Sequence, residues 1–487
     1  MTIARAAMKR HQTSPLSLWE RFGVRANSRG TAGLTQEAVG WHALSRAKGV
    51  VDSLGHFPIS SPMDVNGPHA TPFLTSGRAT RRTVTRLGLM LAALLPLVVG
   101  GASRPALAAD KPDATPHNRL SPKMIADGWI NLFDGQTMFG WKPNNNVNWQ
   151  ITDGVVHADQ GDPGLLVTTA EFSDYELQCD FRLEKGGNSG IFLRTLFVAK
   201  DPTTDCYELN MCDTHPAFPT GSLVGLIKPD QPIAGEEKWM TYNVVVQGNR
   251  IDIKLDGKPI LSYTDKRPTA RKRGFIGLQK NAGKAEYRNV YLRPLSTTPL
   301  FNGKDLAGWR VVPGGTSKFT VVDDTIHVVN GRGFLETEST WGDFVLQAQI
   351  KTNGKNLNSG IFFRAMPGTE KAPSNGYEAQ VHSGFVQDDR TKPADYGTGG
   401  IYNRVKARRV VSNDFEWFTM TVVATGPHVG IWVDGEQVTD WTDPRPANDN
   451  PREGLRTKAG HFSLQGHDPT TDLSFRNLRA VELPPAE

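Results

Sequence analysis

From residue 128 onward the chain runs in short stretches in which apolar and polar residues alternate, separated by turn residues. Tyr242-Asn243-Val244-Val245-Val246 gives way to Arg250-Ile251-Asp252-Ile253-Lys254-Leu255 and then to the turn Asp256-Gly257. A period of two sends successive side chains to opposite faces of a strand, and Asp-Gly or Gly-Asn between two such runs closes an antiparallel hairpin. No part of this region carries a long apolar stripe at helical spacing. The pattern predicts an all-β protein made of antiparallel sandwiches.

The pattern occurs twice. Leu132-Phe133-Asp134-Gly135 with Gly140-Trp141 is matched by Leu300-Phe301-Asn302-Gly303 with Gly308-Trp309, and Asn188-Ser189-Gly190-Ile191-Phe192 by Asn358-Ser359-Gly360-Ile361-Phe362. Tyr207-Glu208 is matched by Tyr377-Glu378, and up to this point the copies stay 168 to 170 residues apart. The offset then grows to 178 at Trp239 and Trp417 and to 186 at Leu278 and Leu464, so the second copy carries two insertions of about eight residues. Insertions of that size belong in surface loops. Two tandem modules are predicted, residues 128–295 and 299–483, joined near Pro294 to Pro299.

The residues ahead of them are of another kind. Arg81 and Arg82 precede an apolar run from Leu87 to Ala102, followed by Ala106-Leu107-Ala108-Ala109. A basic segment, an apolar segment and an Ala-x-Ala site make a secretory signal, expected over 81–109 with cleavage near Ala108 or Ala109. That implies a secreted or periplasmic protein with no stable membrane span after processing. Residues 1–80 show no sustained period and are assigned no fold, as a disordered stretch or a start placed too early.

Charge and cysteines exclude some classes. A formal charge of +5 over 487 residues points to no nucleic-acid partner. The three cysteines, Cys179, Cys206 and Cys212, cannot build a disulfide framework. Cys206 and Cys212 share one strand-like run, where six residues span about 20 Å against the roughly 6 Å between Cα atoms of a disulfide.

The ordered strings Asn-Gly-x-Asp-Leu-x-Gly-Trp, Asn-Ser-Gly-Ile-Phe-x-Arg, Tyr-Glu, Asp-Gly and Phe-Arg-Asn resemble the 3-keto-disaccharide hydrolase domain family, once per module. The resemblance implies a concanavalin A-like jelly roll and cleavage of a glycoside whose sugar is a ketone at C3. The implied partner is an oxidised di- or oligosaccharide. Fold alone does not establish activity, so a non-catalytic pair of lectin-like modules and a cell-surface adhesion protein remain the competing readings.

Strand parity gives the candidate residues. In the first module Glu208, Asn210 and the two flanking cysteines share one face, as do Asn188, Gly190, Phe192 and Arg194. In the second, Glu378, Gln380 and His382 share a face, as do Asn358, Gly360, Phe362 and Arg364. Neighbouring strands would then gather a carboxylate, amides, an arginine and an aromatic platform in one groove, a surface suited to a sugar ring. A C3 ketone acidifies the C2 proton, so elimination needs a base near C2 and a donor near the ketone oxygen. Glu208 and Glu378 are assigned the base role, Arg194 and Arg364 the oxyanion role. Direct hydrolysis would need a second carboxylate, for which Asp213 is the first module's candidate and Ser383 fills its place in the second.

His382, His461 and His467 offer the second module a proton-transfer group or a divalent metal site, although their spacing is no recognised ligand pattern. Tyr402 and His467 join Asn188, Phe192, Asn210, Asn358, Phe362 and Gln380 as expected substrate contacts. The segment Tyr396 to Tyr402 and the basic run Arg404 to Arg409 fall in an insertion, where a substrate-facing loop and a solvated one are the alternatives.

Overall fold

The computed structural model describes residues 117–486. The expected signal segment at 81–109, its cleavage site and the unassigned residues 1–80 lie outside the described residues. Apart from the short helix Pro122–Ala126, the regular elements are strands paired antiparallel.

Each module is a sandwich of one eight-stranded and one five-stranded sheet. In the first module the five-stranded sheet runs in space Trp141–Pro143, Gly164–Thr168, Phe275–Lys280, Ser189–Thr195, Tyr207–Met211. In the second it runs Trp309–Val311, Gly333–Thr337, His461–Gly466, Ser359–Met366, Asn375–Val381, the same order. Burial alternates strictly along Tyr175–Leu183 of the first eight-stranded sheet, since one face meets the core and the other meets solvent. Ser189–Thr195 and Tyr207–Met211 are buried at every position, because loops cover the face turned away from the core as well.

The first core joins Leu177, Phe181, Tyr242 and Val244 of one sheet to Ile191, Leu193, Leu209 and Leu278 of the other. Each such side chain, fully buried, contributes about 1.5–3 kcal/mol of hydrophobic transfer. The same core takes in Val345, Val423, Trp432 and Leu483 from the second module. Trp432 packs 6.5 Å from the Phe172 ring and donates its indole N–H to the Asn131 carbonyl at 3.1 Å. Arg273 reaches Asp343 and Arg408 reaches Asp134, each at 2.8 Å, so two ion pairs also cross the junction.

Both modules interrupt the same strand in the same way. Arg194 and Arg364 hold φ at 46° and 48°, and the pairing register shifts beside each of them. A bulge inserts one residue and reverses the alternation beyond it. Ala365 therefore returns to the outer face, clustered with Val312, Phe334 and Phe362, while Phe363 and Arg364 both turn inward.

Candidate functional site

Two rows of side chains cross the outer face of the second five-stranded sheet. Strand register places Arg310, Glu336, Ser463, Phe362 and Glu378 in one row. Phe334, Gln465, Gly360 and Gln380 form the next. At Gly360 an added Cβ would stand 2.7 Å from Glu378 Cγ, so only glycine lets the glutamate lie across the neighbouring strand.

Glu378 is 4% exposed. Burial favours the neutral acid and pushes its carboxyl up to about 7, against the opposing pull of Arg452 and His467. The Arg452 guanidinium stands 3.2 Å from Glu378 Oε2, 5.1 Å over the Phe362 ring and 5.8 Å from the Tyr402 ring centre. Tyr402 is 38% exposed and its backbone N–H donates to the Glu378 carbonyl. It is this ring, rather than the fully buried Phe362, that a ligand would meet first.

Arg452 arrives on the second insertion. Tyr377 donates to Asp443 at 2.7 Å and accepts the Arg456 N–H at 2.9 Å, just as Tyr207 donates to Asp265 at 2.7 Å and accepts the Arg271 N–H at 3.1 Å. Between Arg445 and Arg456 the chain has residues 446–455, whereas between Arg267 and Arg271 it has only 268–270. The longer loop wraps the Arg445 guanidinium, which donates to the Pro451 and Gly454 carbonyls at 2.9 Å while paired to Asp443. Sequence comparison locates this insertion, but the loop has no periodicity from which the direction of Arg452 follows.

The first insertion reaches the same place. Ile401 bridges Ala379 as Leu223 bridges Leu209, so residues 382–400 replace residues 212–222. The longer segment carries Asp395, whose Oδ2 accepts from Asn358 at 2.6 Å and from Gln380 at 3.0 Å. Both insertions thus end on the strand pair that holds Glu378.

Other expectations are corrected. Arg194 and Arg364 do not share a face with the glutamates, because the bulge turns them inward. Arg364 is 1% exposed and donates to the Gly342, Gly426 and Arg456 carbonyls and to Asp343. Arg194 does the same with Ser173, Gly248, Arg271 and Asp174. Both are ties inside the sandwich, and neither serves a ligand as an oxyanion donor. Phe192 and Phe362 face outward but are fully buried, so neither is an open platform.

His382 ends its strand with Nδ1 accepting the Gly384 N–H at 3.2 Å, turned onto the following bend. His461 Nδ1 lies 2.7 Å from the Thr337 carbonyl, and His467 pairs with Asp468. No group of three or more His, Cys, Asp or Glu side chains converges among the described residues in a way that could hold a metal, so the histidines do not fit that role. Asp213 accepts from Thr220 and from the Gly235 and Glu236 N–H groups, a loop anchor rather than a second acid. Of the basic run, Arg408 and Arg409 pair with Asp134 and Glu436 at the module junction, lining a cleft of about 730 Å³ there.

The first module lacks the arrangement. Val167 and Gly277 occupy the row positions of Glu336 and Ser463, and among the described residues the Glu208 carboxyl meets only Gln279, at 3.2 Å. Buried beside Leu165, Val167, Phe192 and Cys206, the Glu208 carboxyl is pushed up to about 8. Asn210 is spent on the Phe218 carbonyl. The three cysteines are free and buried.

Each module is a jelly-roll sandwich, and the second carries the equipped face. Residues 128–293 and 296–480 match the family of 3-keto-alpha-glucoside-1,2-lyase-like domains, and the chain belongs to that family. A 3-keto-disaccharide hydrolase of Bacteroides thetaiotaomicron is 39% identical over 91 residues, 16% of this chain and 30% of that protein. The chain thus matches less than a third of that relative's length. Among solved structures, a carbohydrate-binding module from Bacillus subtilis is 20% identical over 32% of this chain and 95% of its own, at a TM-score of 0.26. An alginate lyase is 13% identical over 32% and 88%, at 0.24. No helix among the described residues is long and apolar enough to cross a membrane.

Proposed function

We propose that the second module is the reaction centre of a glycoside-cleaving enzyme acting on 3-keto-glucosides by elimination. The supporting observation is the Glu378–Arg452 pair, a buried carboxylate titrating near neutrality beside a guanidinium on a loop the first module lacks. A base works best with a pKa near the working pH. The family description names a 1,2-lyase-like activity on this sugar class.

In the proposed step the Glu378 carboxylate takes the C2 proton. The C–H electron pair moves toward the C3 ketone, whose oxygen gains negative charge, and Arg452 donates to that oxygen. The electrons then return to form the C1–C2 double bond as the C1–O bond breaks, and water supplies the proton the leaving oxygen takes up. Later addition of water across the double bond gives net hydrolysis. Moving the guanidinium from Glu378 to the ketone also removes a charge that holds the carboxyl down, which strengthens the base as the substrate seats.

The sugar's oxidation state, like export through the 81–109 segment to the periplasm or outside the cell, is part of this proposal. The first module, with Glu208 neutral near pH 7 and bonded to Gln279 rather than to a guanidinium among the described residues, fits a binding or scaffolding role. The test is turnover of a 3-keto-α-glucoside, followed by ultraviolet absorption of the enone and by release of the C1 substituent. Wild type should turn it over and Glu378→Gln should bind it without turnover. A wild type that binds 3-keto-glycosides and converts none would favour the lectin reading.

A further inference from the structure

Three buried polar atoms on the floor around Glu378 have no partner among the described residues. They are Gln380 Oε1, Gln465 Oε1 and Ser463 Oγ, on side chains 1%, 6% and 3% exposed. A buried polar group left unpaired costs about 1–3 kcal/mol, so three in one patch require an explanation.

The Gln380 amide is not free to turn. Its nitrogen donates to Asn358 Oδ1 at 3.1 Å and to Asp395 Oδ2 at 3.0 Å, both acceptors, which fixes the carbonyl oxygen as the end left over. Gln465 sits across Gly360 from Gln380, and the glycine leaves room between the two amides for the Glu378 carboxyl. Ser463 lies one row over, opposite Phe362, which stands between it and Glu378. The first module keeps the equivalent Gln279 but has Gly277 in place of Ser463, and its Asn210 is spent on the Phe218 carbonyl.

We propose that Gln380, Gln465 and Ser463 form a hydroxyl-recognition subsite that binds the C4 and C6 hydroxyls of the sugar and so sets the ring's orientation over Glu378. This rests on the elimination reading for its choice of ring. The chemistry is a sorting by donor and acceptor. The Gln380 carbonyl oxygen accepts from a hydroxyl and repels a ketone oxygen, which has nothing to donate. The ketone is turned instead to the Arg452 guanidinium, which only donates. A ring bound the other way would bring the ketone oxygen onto the Gln380 carbonyl.

The test is equilibrium binding to the full chain carrying Glu378→Gln, which keeps the sugar unconverted, by isothermal titration or ligand-observed NMR, of methyl 3-keto-α-glucopyranoside and its C4- and C6-deoxy analogues. Glu378→Gln alone and combined with Gln465→Met or Ser463→Gly are compared. Ser463→Gly introduces the residue the first module already carries, so it keeps the test sound if Gln465→Met fails to fold. Glu378→Gln should bind at least one deoxy analogue about tenfold or more weakly than the parent. In the double variants the parent should weaken by a similar factor, and the penalty for the deoxy analogue should shrink. Undiminished binding of both deoxy analogues by Glu378→Gln, parent affinity unchanged in both double variants, or no binding of any of the sugars would overturn the subsite. Hydroxyl-dependent binding without turnover by wild type would instead count against the elimination reading and leave the subsite standing.

Discussion

Arg452 Nη2 stands 3.2 Å from Glu378 Oε2, and the loop that brings it there, residues 446–455, is replaced in the first module by residues 268–270. One insertion therefore separates a carboxylate beside a guanidinium from its twin, Glu208, whose carboxyl meets only an amide among the described residues. The two modules share the strand order of both sheets and the Tyr-Asp-Arg knot, Tyr377–Asp443–Arg445 in one module and Tyr207–Asp265–Arg267 in the other. That knot forms the base from which the longer loop departs.

Replacing Arg452 by Gln should remove the donor to the developing enolate. Loss of one such donor costs about 10²–10³ in kcat. Because Arg452 pulls the Glu378 carboxyl down, its loss should also move the lower midpoint of the kcat/KM pH profile above the value near 7 expected for wild type. A profile measured from pH 5 to 9 checks both. An unchanged midpoint would mean that the guanidinium does not face the base in solution.

Arg364 gives the opposite signature. Its guanidinium is fully buried and satisfied by three carbonyls and Asp343, so Arg364→Ala takes the donor from those carbonyls and leaves Asp343 with Arg273 as its one remaining cation among the described residues. Breaking a buried pair of this kind costs about 3–5 kcal/mol, measurable by denaturant unfolding. The protein that still folds should keep the wild-type KM, since Arg364 touches no ligand.

These two arginines show how much of the site the sequence carries. The tandem sandwiches, the two insertions and the shared face of Glu378 and Gln380 all follow from period-two patterning and register. Arg364 was misassigned because a bulge with φ at 48° resets parity within one residue, and nothing in Ile361-Phe362-Phe363-Arg364 announces it. The recurrence of Arg in both copies signalled a constraint, and that constraint is internal packing. Arg452 was missed because an insertion loop has no period, so its side chain's direction is set by the wrapping of Arg445 alone.

Glu208→Gln tests the first module. The Glu208 carboxyl is raised in the folded protein to about 8 from an ordinary value of 4.5. Stability linked to it is therefore fully present below pH 4.5 and is lost as pH rises through 8. Glutamine cannot ionise, so the variant should unfold at a higher temperature than wild type at pH 9, with a difference of up to about 5 kcal/mol, and alike at pH 4. Its turnover of a 3-keto-glucoside at pH 7 should equal that of wild type.

Trp432 ties the modules into one core. Trp432→Ala removes an indole packed on Phe172 and its bond to the Asn131 carbonyl, at a cost of about 3–5 kcal/mol. Calorimetry should show one unfolding transition in wild type, and a lower or divided one in the variant.

The most direct measurement follows the C2 proton itself, by NMR in deuterated buffer with a 3-keto-α-glucoside as substrate. Wild type and Glu208→Gln should replace the C2 proton with deuterium or form deuterated product, whereas Glu378→Gln, still folded and still binding the sugar, should leave that proton in place. Exchange that persists in Glu378→Gln, or vanishes in Glu208→Gln, would contradict the assignment of the base to the second module.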